Sequence, residues 1–193
     1  MDIVHRATKR VIYSDSSKTY WDTVEAAIAD GVSLAYAALD GVDLYEADLS
    51  DADLRHASLH RADLGRANLS DAQLSDADLS YANLCSANLS RANLHHANLS
   101  RAEVRDANFR GADLTLADLR GADLSVAHTD GADLWKAILV DDPDSSTESA
   151  AVAPPSGGHG RYAAPDNPHA SCRYVGRCVP RMLDSSADKC EQP

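Results

Sequence analysis

Fully apolar aromatic bulk is scarce in this chain of 193 residues, which holds one Phe and two Trp beside seven Tyr. Its apolar content suffices for a folded unit, but Ala and Leu dominate it, so any core must be built from them. Long hydrophobic runs are also missing. No stretch of about 18 apolar residues occurs, which excludes a membrane-spanning helix from the reading. Met1-Asp2-Ile3-Val4-His5-Arg6 has no apolar segment of the kind that opens a secretory signal, and the cytoplasm is the expected location. Four cysteines at irregular positions make no disulfide framework in a chain of this length. Positive charge is in deficit, with 18 Lys and Arg against 30 Asp and Glu and a net charge of −12. Such a chain is repelled by nucleic acid and by anionic membrane surfaces, but can approach a protein that presents a basic groove. The sequence shows no nucleophile–base pair, Gly-rich phosphate loop or cluster of general acids, so neither an enzyme nor a cofactor-binding protein is expected.

What the chain has in quantity is one pentad. From Leu34 to Leu139 every fifth residue is Leu, except Val104, Phe109 and Thr129. Two residues before each stands Ala, apart from Val32 and Val42. The position between is mostly Asp or Asn, and the two positions after vary freely. On an α-helix, steps of five residues advance by about 140°, which scatters the Leu side chains around the axis. Recurrent Asp and Asn also compete with a helical backbone for its hydrogen bonds. A coil in which each pentad forms one side keeps every Leu inward, with Ala where the interior is most crowded. Stacking such coils pairs their backbones at roughly 4.8 Å.

Tandem Ala-(Asp/Asn)-Leu-X-X over 22 pentads resembles the pentapeptide-repeat family. The resemblance implies an all-β solenoid, a right-handed quadrilateral β-helix with four pentads per coil. The expected organisation is a cap over residues 1–31, about five and a half coils over 32–140, and a disordered tail over 141–193. Inward Leu44, Leu49, Leu54, Leu64, Leu84, Leu94, Phe109 and Leu119 form the expected core. In the cap, Val11-Ile12-Tyr13 is β-prone. Asp22 with Glu25 suggests a capping box for a helix over 23–30, which Gly31 ends. A helix that short must pack on something, and the open first coil is the expected partner; an arm that binds another protein is the alternative.

Four pentads per coil place residues 20 apart in columns. Asp48, Asn68, Asn88 and Asn108 then form one column, in which amides can bond from coil to coil. His56, Asp76 and His96 form another, with His95 beside His96 and His60 one side away. Imidazoles two coils apart are about 10 Å from each other, too far to share a zinc ion, and are expected to be solvated. Arg55, Arg61, Arg66, Arg91, Arg101, Arg105, Arg110 and Arg120 lie over the middle of the array and are expected to balance neighbouring carboxylates. Cys85 falls at an outward position, where a free thiol is the expectation.

Phe109 needs more room than Leu, and Thr129 one coil on suggests a compensating pair. Trp135, Ile138, Leu139 and Val140 leave an apolar C-terminal end, to be covered by the tail, a partner, or a second copy in an end-to-end homodimer. In the tail, Cys172, Cys178 and Cys190 match no common zinc spacing; disorder is expected, with a small metal clip as the alternative.

Two functions follow. The first is a non-catalytic protein–protein interaction module presenting a rigid acidic rod. The second comes from the resemblance, which implies that such rods can imitate duplex DNA, bind DNA gyrase or topoisomerase IV, and confer resistance to quinolones or topoisomerase toxins. Residues 32–139 carry 17 acids and 9 bases, which favours the second. Regular repeats without projecting loops, and eight Arg residues on the surface, weigh against it.

Overall fold

The computed structural model describes residues 1–139. Val140 and the expected tail, with Cys172, Cys178 and Cys190, lie outside the described residues. Strands β1 (Asp2–Val4) and β2 (Val11–Ser14) pair antiparallel, and α1 (Tyr20–Ala29) follows. From Ala38 onward, parallel bridges join residues 20 apart, from Ala38–Ser58 through Asp118–Ile138. The coil is therefore 20 residues long, which is four pentads. The result is a β-helix of stacked coils.

The backbone N–H groups of the pentads are bonded in a repeating pattern, as the stretch from Ala47 to Ala52 and the coil beneath it show. The Leu49 N–H donates to Asn68 O at 2.7 Å and the Asp51 N–H to Ser70 O at 3.0 Å, both in the next coil. The Asn68 N–H returns a bond to Ala47 O at 2.9 Å. The Ala52 N–H closes the turn on Leu49 O at 3.2 Å. That leaves the Ser50 N–H, which donates to the Asp48 carboxylate at 3.2 Å. The Asp/Asn preference of the repeat thus has a local cause. Its side chain forms an Asx turn that satisfies the one donor the coil-to-coil ladder cannot reach.

The second X residue of nearly every pentad has φ between 56° and 74°, whether it is Asp, Arg, Tyr or Gly. Outside Gly, Asn and Asp this left-handed conformation costs roughly 1–2 kcal/mol per residue, which the coil-to-coil bonds offset. Val126 is the one β-branched residue in this position, where branching makes positive φ most unfavourable. There the corner becomes a 3₁₀ turn, α-like and tighter, over Leu124–Val126, capped by the Asp123 side chain. The bridge series skips the Glu103–Asp123 pair, and the Asp106 N–H bonds Val126 O at 2.8 Å.

Leu44, Leu49, Leu54, Leu64, Leu84, Leu94, Phe109 and Leu119 are all completely buried. Each such side chain contributes about 1.5–3 kcal/mol relative to exposure. Thr129 stands one coil beyond Phe109 in the same column and is half-buried.

The helix departs from expectation. It begins at Tyr20, not Thr23, and its N-cap is Thr19, not Asp22. The Thr19 hydroxyl accepts from the Asp22 N–H at 3.1 Å, and the Thr23 hydroxyl donates to Thr19 O at 3.0 Å. Glu25 completes no capping box, because its carboxylate accepts from the Asp48 N–H at 3.2 Å. The helix is thereby tied to the coils. The hairpin is tied as well: the Ala38 N–H donates to Val4 O at 2.8 Å and the Arg6 N–H to Tyr36 O at 2.7 Å. Ile3, Val24 and Ala27 are buried in the same cluster as the first Leu residues.

Candidate interaction surface

With Leu and Ala turned inward, only two kinds of position meet solvent: the Asp/Asn columns and the X-X corners. The columns are bonded along the rod. Asn68, Asn88 and Asn108 each donate to the preceding member of their column at 3.0 Å, so the chain of bonds starts on the Asp48 carboxylate. Asn83 donates to Asp63 at 2.8 Å, Asn98 to Asp78 at 3.1 Å and Asn93 to Gln73 at 3.3 Å. The amide ladder expected for the column at 48 is present and recurs on the other sides. Asn in the middle coils lets each side chain accept from its own turn and donate backward; Asp can only accept.

This division sorts the charge of the rod. Of its 17 acids, ten occupy the column positions and seven the corners, while all nine bases are at corners. The negative charge lies largely in groups that hold turns. Their titration reflects that duty. Hydrogen bonds from the Ser50 hydroxyl and N–H hold the Asp48 carboxyl below the usual range. The Arg55 guanidinium, with help from Ser33, holds Asp53 down to about 2. The Arg120 guanidinium lowers Asp118 in the same way.

The corners show four kinds of edge. On the first, His5, Tyr36 and His56 stack with centroids 5.0 and 4.6 Å apart. Asp76 then lies between His56, at 3.8 Å, and His96, at 2.7 Å. His95 is turned away from this line, toward the Thr115 hydroxyl at 2.6 Å. The described residues contain no group of His, Cys, Asp and Glu fit to hold a metal ion. On the second edge, the Tyr81 ring lies between the Arg61 and Arg101 guanidiniums, 5.7 and 5.5 Å from its centroid. The Arg101 guanidinium also donates to the Tyr81 hydroxyl at 2.8 Å, and His60 meets the ring edge-on at 5.6 Å. The third edge carries Arg66, bonded to Glu46 at 3.2 Å and set over Tyr45. On the fourth, Arg91 grips Asp71 with two bonds of 2.8 and 2.6 Å, and Arg110 reaches Asp130 at 3.1 Å.

Arg55, Arg66, Arg91, Arg110 and Arg120 therefore balance carboxylates, whereas Arg61 and Arg101 engage a tyrosine. Cys85 is half-buried, its sulfur 3.9 Å from Glu103 O, and it is not the free thiol that its outward position suggested, because it is disulfide-bonded. At the C-terminal end Trp135, Ile138 and Leu139 are 47%, 46% and 38% exposed.

Comparison with known proteins agrees with this architecture. No curated protein matches the sequence. Among solved structures, the pentapeptide repeat protein Rfr23 of Cyanothece 51142 is 35% identical over 51% of this chain and 64% of its own, with a TM-score of 0.43. A pentapeptide repeat protein of the Arabidopsis thaliana thylakoid lumen is 30% identical over 56% and 73%, also at 0.43. QnrB1, a plasmid-mediated fluoroquinolone resistance protein, is 23% identical over 61% and 62%, with a TM-score of 0.51, and shares the fold. This chain thus spans less than two thirds of the length of Rfr23 and of QnrB1. The family model for pentapeptide repeats matches residues 30–66, 67–106 and 87–125, in eight copies. Taken with the 20-residue coil, that match makes this chain a member of the pentapeptide-repeat family.

Proposed function

We propose that this protein is a non-catalytic, cytoplasmic interaction module that offers the corners of a rigid β-helix to a protein partner. One observation carries the reading. The repeat spends its inward residues on packing and its Asp/Asn columns on turns, so the corners are the only freely varied surface. On those corners Tyr and Arg, the residues richest in binding energy at protein interfaces, come together. As part of the same proposal, the exposed end at Trp135, Ile138 and Leu139 joins two copies end to end; light scattering that reads a monomer mass would remove that element. The module itself is tested with photo-crosslinking residues placed at His60, Ser86, His96 and Arg110, one per edge, in cells of the source organism. Specific protein adducts from at least one edge are expected. Absence of adducts from all four would end the proposal.

A second reading is a DNA mimic that binds gyrase or topoisomerase IV. It is favoured by the 17 acids of the rod and by the fold shared with a fluoroquinolone resistance protein. The placement of charge opposes it, since a mimic of the phosphate backbone needs acids on projecting positions, and here bases outnumber acids at the corners. A supercoiling assay with gyrase, with and without a quinolone, tests it directly. Neither inhibition nor protection at micromolar protein would dispose of it.

A further inference from the structure

We infer that the edge formed by Arg61, Tyr81 and Arg101 is the docking strip of the module, and that its occupant is an extended acidic segment of a partner protein. The inference rests on the module reading and names the face and the chemistry of the partner.

Three observations converge on this edge. Arg61 and Arg101 form no ion pair among the described residues; their guanidiniums are held over one ring instead. That ring, Tyr81, is 43% exposed. The strip is also left open beyond Arg101, because the next corner residue is Gly121, where a side chain would come within 3.0 Å of the Arg101 Cγ. Two cations are thus prepositioned on either side of an aromatic platform, with room above them.

Spacing selects the ligand. Arg61 and Arg101 are two coils apart, about 10 Å, which equals roughly one turn, or three residues, of polyproline II chain at ~3.1 Å each. A segment in the extended polyproline II conformation, with three residues per turn, places acids three residues apart on one side, so that running along the rod it would set one carboxylate on each guanidinium with its backbone crossing Tyr81. Arg–carboxylate contact is the strong, two-pronged kind. Charge on both flanks narrows the choice further. Asp63, Asp78 and Glu103 border the strip. A nucleic acid, with a phosphate every few ångströms, would meet those carboxylates; a peptide one strand wide with spaced acids would not.

The test uses the full chain and a short fluorescent peptide with Glu at every third position, beside a peptide of equal composition with its Glu residues clustered at one end. Fluorescence anisotropy at low salt should show tighter binding of the spaced peptide. Arg61→Glu with Arg101→Glu should weaken it by about tenfold or more, while Arg91→Glu on the opposite edge should not. Tyr81→Ala should weaken it with both arginines in place. Unchanged affinity in the double variant, or no detectable binding of the spaced peptide, overturns the inference. So does arginine-dependent binding of a single-stranded oligonucleotide in preference to the peptide, or a dimer mass that falls to monomer in the double variant. If photo-crosslinks then persist from another edge, the module reading stands and only the strip is lost. If they fail on every edge, the module reading itself is lost.

Discussion

Asn88 occupies the centre of the longest amide column, and two substitutions there separate its roles. Its Nδ2 donates to Asn68 at 3.0 Å, and its Oδ1 accepts from Asn108 at 3.0 Å and from the Ser90 N–H at 3.2 Å. Asn88→Ala removes all three bonds, each worth about 0.5–1.5 kcal/mol net, for an expected loss of about 2–4 kcal/mol. Asn88→Asp keeps both acceptor contacts but turns the donor into an oxygen facing the Asn68 oxygen. At neutral pH the new carboxylate should destabilise by about 1–2 kcal/mol, less than the Ala variant. Protonation restores a donor, so the folded state binds this proton more tightly than the unfolded chain does, and the folded pKa lies above the unfolded value of about 3.9. The stabilising proton is fully present below the unfolded value and is lost as pH rises through the folded one. The gap between Asn88→Asp and the parent should therefore close as pH is lowered toward about 4. Urea unfolding followed by circular dichroism at several pH values reads both effects. An Asn88→Ala loss under about 0.5 kcal/mol, or an Asn88→Asp deficit that does not change with pH, would refute the ladder as a source of stability.

The 3₁₀ corner at Leu124–Val126 should revert to the regular left-handed turn in Val126→Asn, raising stability by about 1 kcal/mol. Amide exchange of Leu124 to Ala127 should slow in step; unchanged exchange would mean that branching at 126 is not the cause. Thr19→Ala should cost about 1 kcal/mol, while Asp22→Ala, which keeps the cap hydroxyl, should cost less; the reverse order in thermal unfolding would return the cap to Asp22. Asp53, held at about 2 chiefly by Arg55, contributes stability above its unfolded pKa of about 3.9 that disappears as pH falls through about 2. Asp53→Asn should flatten that part of the acid-unfolding curve, and an unaltered curve would count against the Arg55 contact. Asp63→Asn and Asp113→Asn each remove one of two like charges at positions whose backbones bridge, to Asp43 and to Asp133, while keeping the turn acceptor, and should each stabilise by about 0.2–1 kcal/mol; a lower melting temperature would contradict the assignment of these acids to turns.

The coil was legible because its period is long and unbroken: Leu every fifth residue places Leu44, Leu84 and the rest inside without knowledge of any contact. The column at 48 could likewise be read once the 20-residue stack was assumed. The helix start could not. Thr19-x-x-Asp22 and Asp22-x-x-Glu25 are equally good cap signals, and the choice between them rests on Glu25 reaching the Asp48 N–H, a contact 23 residues away. The turn role of Asp and Asn was present in the repeat but hidden, because the orphan donor appears only when the other four N–H groups have been placed. Val126 had the same problem, since nothing marks it until the corner is known to need positive φ. Arg61, Tyr81 and Arg101 fell in one column from the sequence alone, yet counting charge made these arginines look like counterions. Only the geometry separates them from Arg91, which holds Asp71 with two bonds.

That distinction changes how the acidity of the chain should be read. A fold that closes each corner with an Asx turn accumulates acid in proportion to its length, whatever it binds. Nine of the 17 acids in the rod arise this way and a tenth, Glu103, stands in the same columns, while the nine bases are all at corners against seven acids. Removing the turn acids from consideration reverses the sign of the surface that a partner would touch first. At physiological ionic strength charges separated by more than about 8 Å are largely screened, so a docking segment responds to the corner beneath it more than to the total of −12. Two rods of equal net charge can then select opposite partners, one with acids projecting from its corners and one, like this chain, with arginines there. The arginines without carboxylate partners are the informative ones, because the rest are already neutralised by the turn and corner acids that hold them.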